Sequence, residues 1–584
     1  MEQKYYTDER NVQIVISLLK AHGIRKIVAS PGTTNITFVG SVQQDPYFEI
    51  YSSVDERSAA YIACGLAAES GETVVLTCTG ATASRNYYSG LTEAYYRKLP
   101  VLALTSHQGN YRIGQLIAQN IDRRQLPNDI VTLSVEAPLV RDDNDEQLCT
   151  INVNNALLAL TRHGGGPVHI NLFTTYSRNF SVKELPVVRC IRRYTPNDKM
   201  PQLPEGKIAV TVGSHLRFTE GQTQAIDDFC ATHDAVVFCD NTSGYYGRYK
   251  VVFSLVATQH QYESSNRKVN LLIHIGEVSG DYSGMGVRSN EVWRVNLDGE
   301  LRDPMRRLTK VFEMPEADFF RHYAKEGQSR HAYLDACREE DAVVRSRIPE
   351  LPFGNIWAAQ HTMHRLPVCS VLHLGILNTL RSWNFFPMPE GVEGYSNVGG
   401  FGIDGDVSSL IGSSLAHPEK LYFGVFGDLA FFYDMNVVGN RHVGNNIRIM
   451  LVNNGKGGEF RNYGHPCSAF GKDAEPYMAA AGHYGNKSAD LVRHYAEDLG
   501  YEYLAASTKE EYLTAVERWL HPSVTNRPIL FEVFVDSAEE YKALELISNF
   551  MVDAKTVLKR KMKGIVKDVF GEGAVQTIKN ILGE

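Results

Sequence analysis

Residues 420–436 read KLYFGVFGDLAFFYDMN, and residues 447–460 read IRIMLVNNGKGGEF. Each opens with a short apolar run of strand length and ends in polar residues, Gly427-Asp428 in the first and Asn453-Asn454 in the second. Short, continuously apolar strands bounded by turn residues are those of a parallel sheet buried on both faces. In such a sheet ligands bind at the carboxyl ends of the strands, where loops turn into helix N-termini. Asp428 and Asn454 therefore both fall at a ligand-binding edge. One carboxylate, one amide oxygen and a backbone carbonyl form a hard, all-oxygen partial shell suited to Mg2+, with phosphate oxygens and water to complete it. Either pair alone is common turn chemistry. The two together, with Gly455, Gly457 and Gly458 next door to let backbone approach a ligand, point to a metal and diphosphate site.

The alternation that surrounds this pair extends over most of the chain. From residue 8 to 173, short apolar runs at 26–29, 73–77 and 101–105 end at Gly, Ser or Thr before helical stretches, and VHINLF closes the series at 168–173. This is the pattern of a doubly wound parallel sheet. Pro186, Pro196, Pro201 and Pro204 then break the periodicity and read as a linker. A second α/β region carries KIAVTVG, DAVVFCD, VNLLIHIG and EVWRVNLD; its HIGEVSGDYSG glycines lack the dinucleotide spacing, which favours a spacer role. A third carries CSVLHLG, KLYFGVFG, NIRIMLVN and PILFEVFV. The expected class is α/β, with three doubly wound parallel-sheet domains at 1–180, 207–349 and 350–536, a linker at 181–206 and a helical tail at 537–584. In that tail Leu558, Met562, Ile565, Val566 and Val569 recur at near-helical spacing among lysines, as a packed helix or an interaction surface would.

A chain of 584 residues is too long for one core, in keeping with several domains. A net charge of -8 supplies no electrostatic footprint for nucleic acid. No segment reaches the length of uninterrupted apolar sequence that a membrane span requires. The N-terminus lacks the apolar core and cleavage site of a secretory signal, and the nine cysteines are scattered with no CxxC pair. A cytoplasmic protein with reduced thiols is expected.

A second site signal lies where EIYSSV runs into DERSAAYIACGLAAESG. Glu56 stands at the junction of strand and helix, and Ala59, Ala60, Ala63, Gly65 and Ala67 give the helix small faces for close packing. The carboxylate reads either as a helix N-terminal charge favoured by the dipole or, if partly buried, as a proton relay with its pKa raised toward the working range.

In order along the chain stand SPGTTN (30–35), SVDERSAAYIACGLA (53–67), TCTGATASRN (77–86), LIAQNI (116–121), WRVNLDGELRDP (293–304), SNVGGFGIDG (396–405), GDLAFFYDMN (427–436) and VNNGKGGEF (452–460). This set resembles the thiamine diphosphate enzymes of the decarboxylase and acetolactate synthase type, and most nearly the menaquinone-pathway synthase family, over roughly residues 8–536. The resemblance implies pyrimidine-binding, central and diphosphate-binding domains in that order, with thiamine diphosphate and Mg2+ as cofactors. It implies that Glu56 hydrogen-bonds the aminopyrimidine ring and promotes the tautomer that removes the C2 proton. Asp428 and Asn454 would hold the metal, with the carbonyl of Lys456 as third ligand. Thr79, Gly80 and Gln119 would approach the cofactor from the pyrimidine domain; Gly402, Ile403, Asp404, Gly427, Leu429 and Asn453 would border it from the diphosphate domain. Glu56 and the metal ligands of one cofactor would come from different subunits, making a homodimer the minimum active unit, with pairing of dimers into a tetramer left open.

The chain departs from the family pattern at three basic positions. PGTTN has Thr34 where arginine stands in PGSRS, LTSHQGN has Gln108 where LTADRP is expected, and SNVGG has Val398 where SNRGA is usual. Each change removes a bidentate carboxylate partner, which argues against isochorismate as acceptor. Thr33, Thr34, Arg85, Gln108, Arg381, Val398 and Arg461 are the candidate substrate contacts, and His107, in a loop after a strand, is the acid–base candidate beside Glu56. The leading expectation is a carboligase that decarboxylates a small 2-oxo acid and transfers the acyl anion equivalent to a carbonyl or enone acceptor. A simple decarboxylase, a menaquinone-pathway synthase using 2-oxoglutarate and isochorismate, and a catalytically silent cofactor-binding scaffold are the alternatives.

Overall fold

A computed structural model describes residues 5–281, 286–461, 465–483 and 487–552. The chain divides into two compact units: one holds residues 1–200 and 299–313, the other residues 201–298 and 314–584. The first unit contains β1 (Lys26–Ala29), β2 (Glu49–Ser52), β3 (Val74–Cys78), β4 (Val101–His107), β5 (Leu133–Ala137) and β6 (Val168–Phe173), in the sheet order β2-β1-β3-β4-β6-β5. β7 (Arg192–Tyr194) follows within the stretch expected to be linker. The second unit then gives β8 (Ile208–Val212), β9 (Val236–Cys239), β10 (Lys250–Val252), β11 (Lys268–Ile275) and β12 (Arg288–Asn296), in the order β10-β9-β8-β11-β12. β13 (Leu308–Glu313) belongs to the first unit and pairs in parallel with β7, so the proline-rich stretch is partly held in a strand pair. The second unit ends with β14 (Val371–Leu374), β15 (Glu393–Tyr395), β16 (Tyr422–Gly427), β17 (Ile447–Asn453), β18 (Glu502–Ala506) and β19 (Ile529–Phe534), in the order β15-β14-β16-β17-β19-β18.

The sheets are parallel throughout, with helices between strands, which is the expected α/β class. β3, β4 and β17 are buried along their whole length, as the uninterrupted apolar runs required. Even Arg448 on β17 is enclosed; its guanidinium donates to the carbonyls of Asn445, Ile447 and Ser523, at 2.9, 3.0 and 3.1 Å. Burial, with the Arg518 charge adding to it and the Glu502 carboxylate opposing it, draws its pKa down to about 10.

Register decides what leaves each sheet together. Cys78 pairs with Thr105, so the Thr79-Gly80 loop departs beside Ser106 and His107. Gly427 pairs with Val452, so Asp428 and the Asn453-Asn454 loop leave at one level.

The helix Glu56–Ser70 packs as its small residues predict. Asp55 caps it by accepting the amide N–H of Arg57 at 3.1 Å, and Gly71 ends it at φ 68°, the left-handed region where glycine is unstrained. Ala59, Ala60, Ala63 and Ala67 are buried, and Gly90 on the helix Tyr88–Tyr96 faces Ala60 so closely that an added Cβ would stand 2.4 Å from the alanine methyl. Gly65, expected on the packing face, is exposed with nothing near it, because it sits on the opposite side of the helix. The tail is described only at its start, the helix Ser537–Asn549; Leu558, Met562, Ile565, Val566 and Val569 lie outside the described residues. Among the described residues no helix is long and apolar enough to cross a membrane.

His169 on β6 is buried between two hydroxyls, Thr105 Oγ1 at 2.7 Å from Nε2 and Ser134 Oγ at 2.8 Å from Nδ1. Burial, with the Arg123 charge adding to it, lowers its pKa to about 3. Folding thus keeps this ring neutral, whereas the unfolded chain protonates it below about pH 6.5. Its contribution is complete above that pH and is lost as pH falls from about 6.5 toward 3, at up to about 1.4 kcal/mol per pH unit. His169→Gln should flatten the dependence of unfolding free energy on pH between 6 and 4 by up to that slope, measured by denaturant titration; an unchanged slope would contradict the assignment.

Candidate active site

In the second unit, the turn after β16 becomes a helix at once, Asp428–Asp434, with Asp428 as its first residue. The Asp428 side chain is 4% exposed and its Oδ1 accepts the Leu429 amide N–H at 2.9 Å. Burial pushes its pKa up to about 7, the nearby Glu540 carboxylate adds to the rise, and the amides of Leu429 and Gly455 oppose it. After β17, Asn453 is anchored by donating to the buried Glu532 at 2.7 Å, and its own Oδ1 accepts the Gly455 amide at 3.2 Å. Gly455 turns the chain at φ 76°, and Asn454 Oδ1 accepts the Lys456 amide at 3.1 Å. Asn454 Nδ2 donates to Glu540 Oε2, which fixes the amide plane. At Gly458 the loop closes so tightly that an added Cβ would lie 2.8 Å from Asn378 Nδ2 and 3.1 Å from Asn454 Nδ2. The Lys456 ammonium pairs with Glu475 at 3.0 Å, which leaves its carbonyl as the group the residue offers the site.

The donor set suits a divalent cation. Two carboxyl groups, Asp428 and Glu540, are held above their usual pKa by burial, and a divalent ion is the partner that would ionise them together. Among the described residues no three of His, Cys, Asp and Glu gather into a metal cluster. A cation here would take oxygens from Asp428, Asn454 and the Lys456 carbonyl, the choice expected of Mg2+. The loop with Gly402, Ile403 and Asp404 leads into the helix Asp406–Ala416, and this helix is tied to the one at Asp428 through Ser408, whose amide and hydroxyl both donate to Asp434, at 2.5 and 2.6 Å. Gly427 and Leu429 flank the acid itself. Two helix starts, at Asp406 and Asp428, thus lie in the same unit as these oxygen donors, and helix N-termini favour phosphate groups.

In the first unit, Glu56 opens its helix, half-buried, close enough for its charge to act on Cys78 and Tyr87. Thr34, which replaces an expected arginine, is buried; its hydroxyl bonds the Thr79 hydroxyl and accepts the Gly80 amide at 3.1 Å. Thr33 beside it is exposed. His107 is enclosed at the end of β4: Nδ1 accepts the Gly109 amide at 3.0 Å, and Nε2 stands 3.4 Å from Glu136, whose pKa it lowers. Asn110 donates to both Glu136 oxygens, at 2.9 and 3.0 Å. This network holds the imidazole in place. Gln108 accepts from Arg112 at 2.7 Å, Gln119 is exposed at φ 64°, and Arg85 is exposed on the helix Ala81–Asn86.

The remaining substrate candidates lie in the second unit. Arg381 is engaged by Glu459 through two bonds of 3.0 Å. Val398 is buried against apolar neighbours near Gly280. Arg461 ends the turn Gly458–Arg461, and its side chain lies outside the described part. Two residues escaped the sequence reading. Glu540 sits on the first turn of the helix after β19, a strand-to-helix turn like the one that carries Asp428, but its stretch reads as tail. Arg123 is 4% exposed in a loop where arginine is ordinarily a surface residue.

Asp428→Asn keeps the shape and removes the charge. Because an uncompensated buried carboxylate disfavours folding, the cation-free variant should melt at the wild-type temperature or above it. Its affinity for thiamine diphosphate in Mg2+ should fall on the order of 100-fold or more, since loss of an outer-shell group alone costs about 10- to 100-fold. Calorimetric melting and fluorescence titration check both arms, and unchanged cofactor affinity would rule the cation seat out.

Comparison with known proteins bears on what the two halves serve. Residues 10–126 match the family model described as thiamine pyrophosphate enzyme, N-terminal TPP binding domain. The chain is 30% identical over 564 residues to the 2-succinyl-5-enolpyruvyl-6-hydroxy-3-cyclohexene-1-carboxylate synthase of Bacteroides thetaiotaomicron, covering 92% of this chain and 98% of that one. Proteins of the same name from Phocaeicola vulgatus and Bacteroides fragilis are 30% and 28% identical, each over 92% of this chain and over 97% and 98% of their own lengths. With the family model matched at its N-terminal part and this end-to-end likeness, the chain belongs to the thiamine pyrophosphate enzymes, in the family that contains these synthases.

Proposed function

We propose that this protein, with thiamine diphosphate and Mg2+, decarboxylates a 2-oxo acid and joins the remaining carbon unit to an unsaturated acceptor, as the resemblance to the menaquinone-pathway synthase family implies. The observation that carries this reading is the pairing of a buried acid, Asp428, with an oriented amide, Asn454, in a chain similar to those synthases from end to end. That likeness favours the synthase reaction, with 2-oxoglutarate as donor and isochorismate as acceptor, over a general carboligase or a simple decarboxylase.

Bound thiamine diphosphate would supply the electron sink that decarboxylation needs. The chain supplies the rest. Asp428, Asn454 and the carbonyl of Lys456 would hold the cation, and the Asp406–Ala416 helix start would face the phosphates. Glu56 would hold or release a proton at the cofactor ring, from the first residue of its helix. A homodimer, with Glu56 and the metal ligands drawn from different copies, is the assembly we propose.

A second reading keeps the chemistry and changes the acceptor. Thr34 is committed to Thr79 and Gly80, Gln108 to Arg112, and Val398 is apolar, so none of the three presents the guanidinium expected for an acidic acceptor.

The test is carbon dioxide release from a panel of 2-oxo acids by the protein with thiamine diphosphate and Mg2+, with product masses recorded with and without isochorismate. Cofactor-dependent release from 2-oxoglutarate with a new adduct mass is expected for the first reading. Release with isochorismate untouched moves the assignment to the second. Absence of cofactor-dependent release from every donor, with and without isochorismate, contradicts both.

A further inference from the structure

The first unit carries a buried positive charge that the proposed reaction leaves without a role. Arg123 is 4% exposed, and its guanidinium lies between the ends of β3 and β4, the carboxyl edge of the sheet. One nitrogen, Nη2, donates to the carbonyl of Ser106 at 3.3 Å. The other, Nη1, is buried with no hydrogen-bond partner. Only the absence of a side chain at Gly80 makes room for it, since a Cβ there would stand 3.0 Å from Nη1 and 2.9 Å from the Ser106 carbonyl. The groups that favour its charge are Cys78 and Tyr88, both ordinarily neutral, and no carboxylate is among them. A guanidinium shut away from water with a free donor and no counter-charge is unfavourable. An anion that arrives with a ligand corrects both defects at once.

The other basic candidates do not meet that description. Arg381 is spent on Glu459, Lys456 on Glu475 and Arg112 on Gln108, while Arg85 is exposed. The places where the family pattern puts arginine hold Thr34, Gln108 and Val398. Arg123 stands beside the Thr79-Gly80 loop, to which Thr34 is bonded.

We propose that Arg123 is a specificity-determining residue that receives a substrate carboxylate, one that survives the reaction. A guanidinium clamped on the carboxylate that leaves would stabilise the ground state and slow its loss as carbon dioxide. A carboxylate elsewhere on the donor or on the acceptor carries no such penalty. The inference rests on the reading that the substrates are carboxylic acids acted on at this edge.

The probe is succinate, a dicarboxylate that cannot react, titrated calorimetrically into protein saturated with thiamine diphosphate and Mg2+. Wild type should bind it, Arg123→Met should weaken binding at least tenfold, and Arg123→Lys, which keeps charge but not the fork, should fall between. Arg123→Met should leave cofactor affinity unchanged and the melting temperature equal or higher, because an uncompensated charge is removed. Equal succinate affinity in wild type and Arg123→Met, no binding by wild type, or a fall in melting temperature and cofactor affinity together would overturn the inference, the last by making Arg123 a structural clasp. In turnover, a raised KM for 2-oxoglutarate but not for pyruvate assigns the donor's distal carboxylate, and a raised KM for the acceptor alone assigns the acceptor. If no KM moves, the inference is overturned. Absence of cofactor-dependent carbon dioxide release by wild type would instead count against the proposed reaction, and the succinate comparison would still stand.

Discussion

A carboxylate enclosed by protein with a second carboxylate nearby is unstable in its ionised form, and Asp428, buried near Glu540, is in that position. The residues around it are placed by register and by hydrogen bonds. β16 and β17 are locked in register, so the two polar loops leave the sheet side by side. Glu532 anchors Asn453, Glu540 orients Asn454, and the glycines beyond let backbone close over the site. Each of these contacts restrains an oxygen donor before any ion arrives, which is what makes binding of a hard, geometrically demanding ion favourable.

The first unit solves a different problem, placing one carboxylate at a helix start without surrendering the helix to solvent. Asp55 takes the capping role, so Glu56 is left free for chemistry, and the alanine face behind it lets the helix Tyr88–Tyr96 approach at Gly90. The edge of the same sheet carries a histidine held by its neighbours and an arginine with a spare donor, so its electrostatics are set largely by groups whose partners lie within the unit.

Much of this was legible in the sequence, for physical reasons. Strands buried on both faces write themselves as continuous apolar runs, so β3, β4, β16 and β17 were readable within a residue or two, and with them the edge that carries Asp428 and Asn454. Side-chain partnerships left less trace. Nothing in the local sequence says that Arg381 meets Glu459 or that Gln108 accepts from Arg112, because these pairs depend on how loops return. Glu540 was hidden by composition: a polar helix with lysines beyond it reads as tail, although the strand before it is as apolar as β17. β7 was hidden by the prolines around it, and Arg123 because burial of an arginine is a tertiary outcome. Gly65 shows the converse, a small residue on the solvent side of a helix whose other small residues pack.

The central proposal is that Asp428 and Asn454 seat the cation of a diphosphate cofactor. Titration calorimetry of thiamine diphosphate into the protein, first with Mg2+ and then with the divalent ion chelated, tests it most directly. Saturable binding that disappears on chelation and returns when Mg2+ is restored is the predicted result; binding indifferent to the cation, or no binding in its presence, would contradict it.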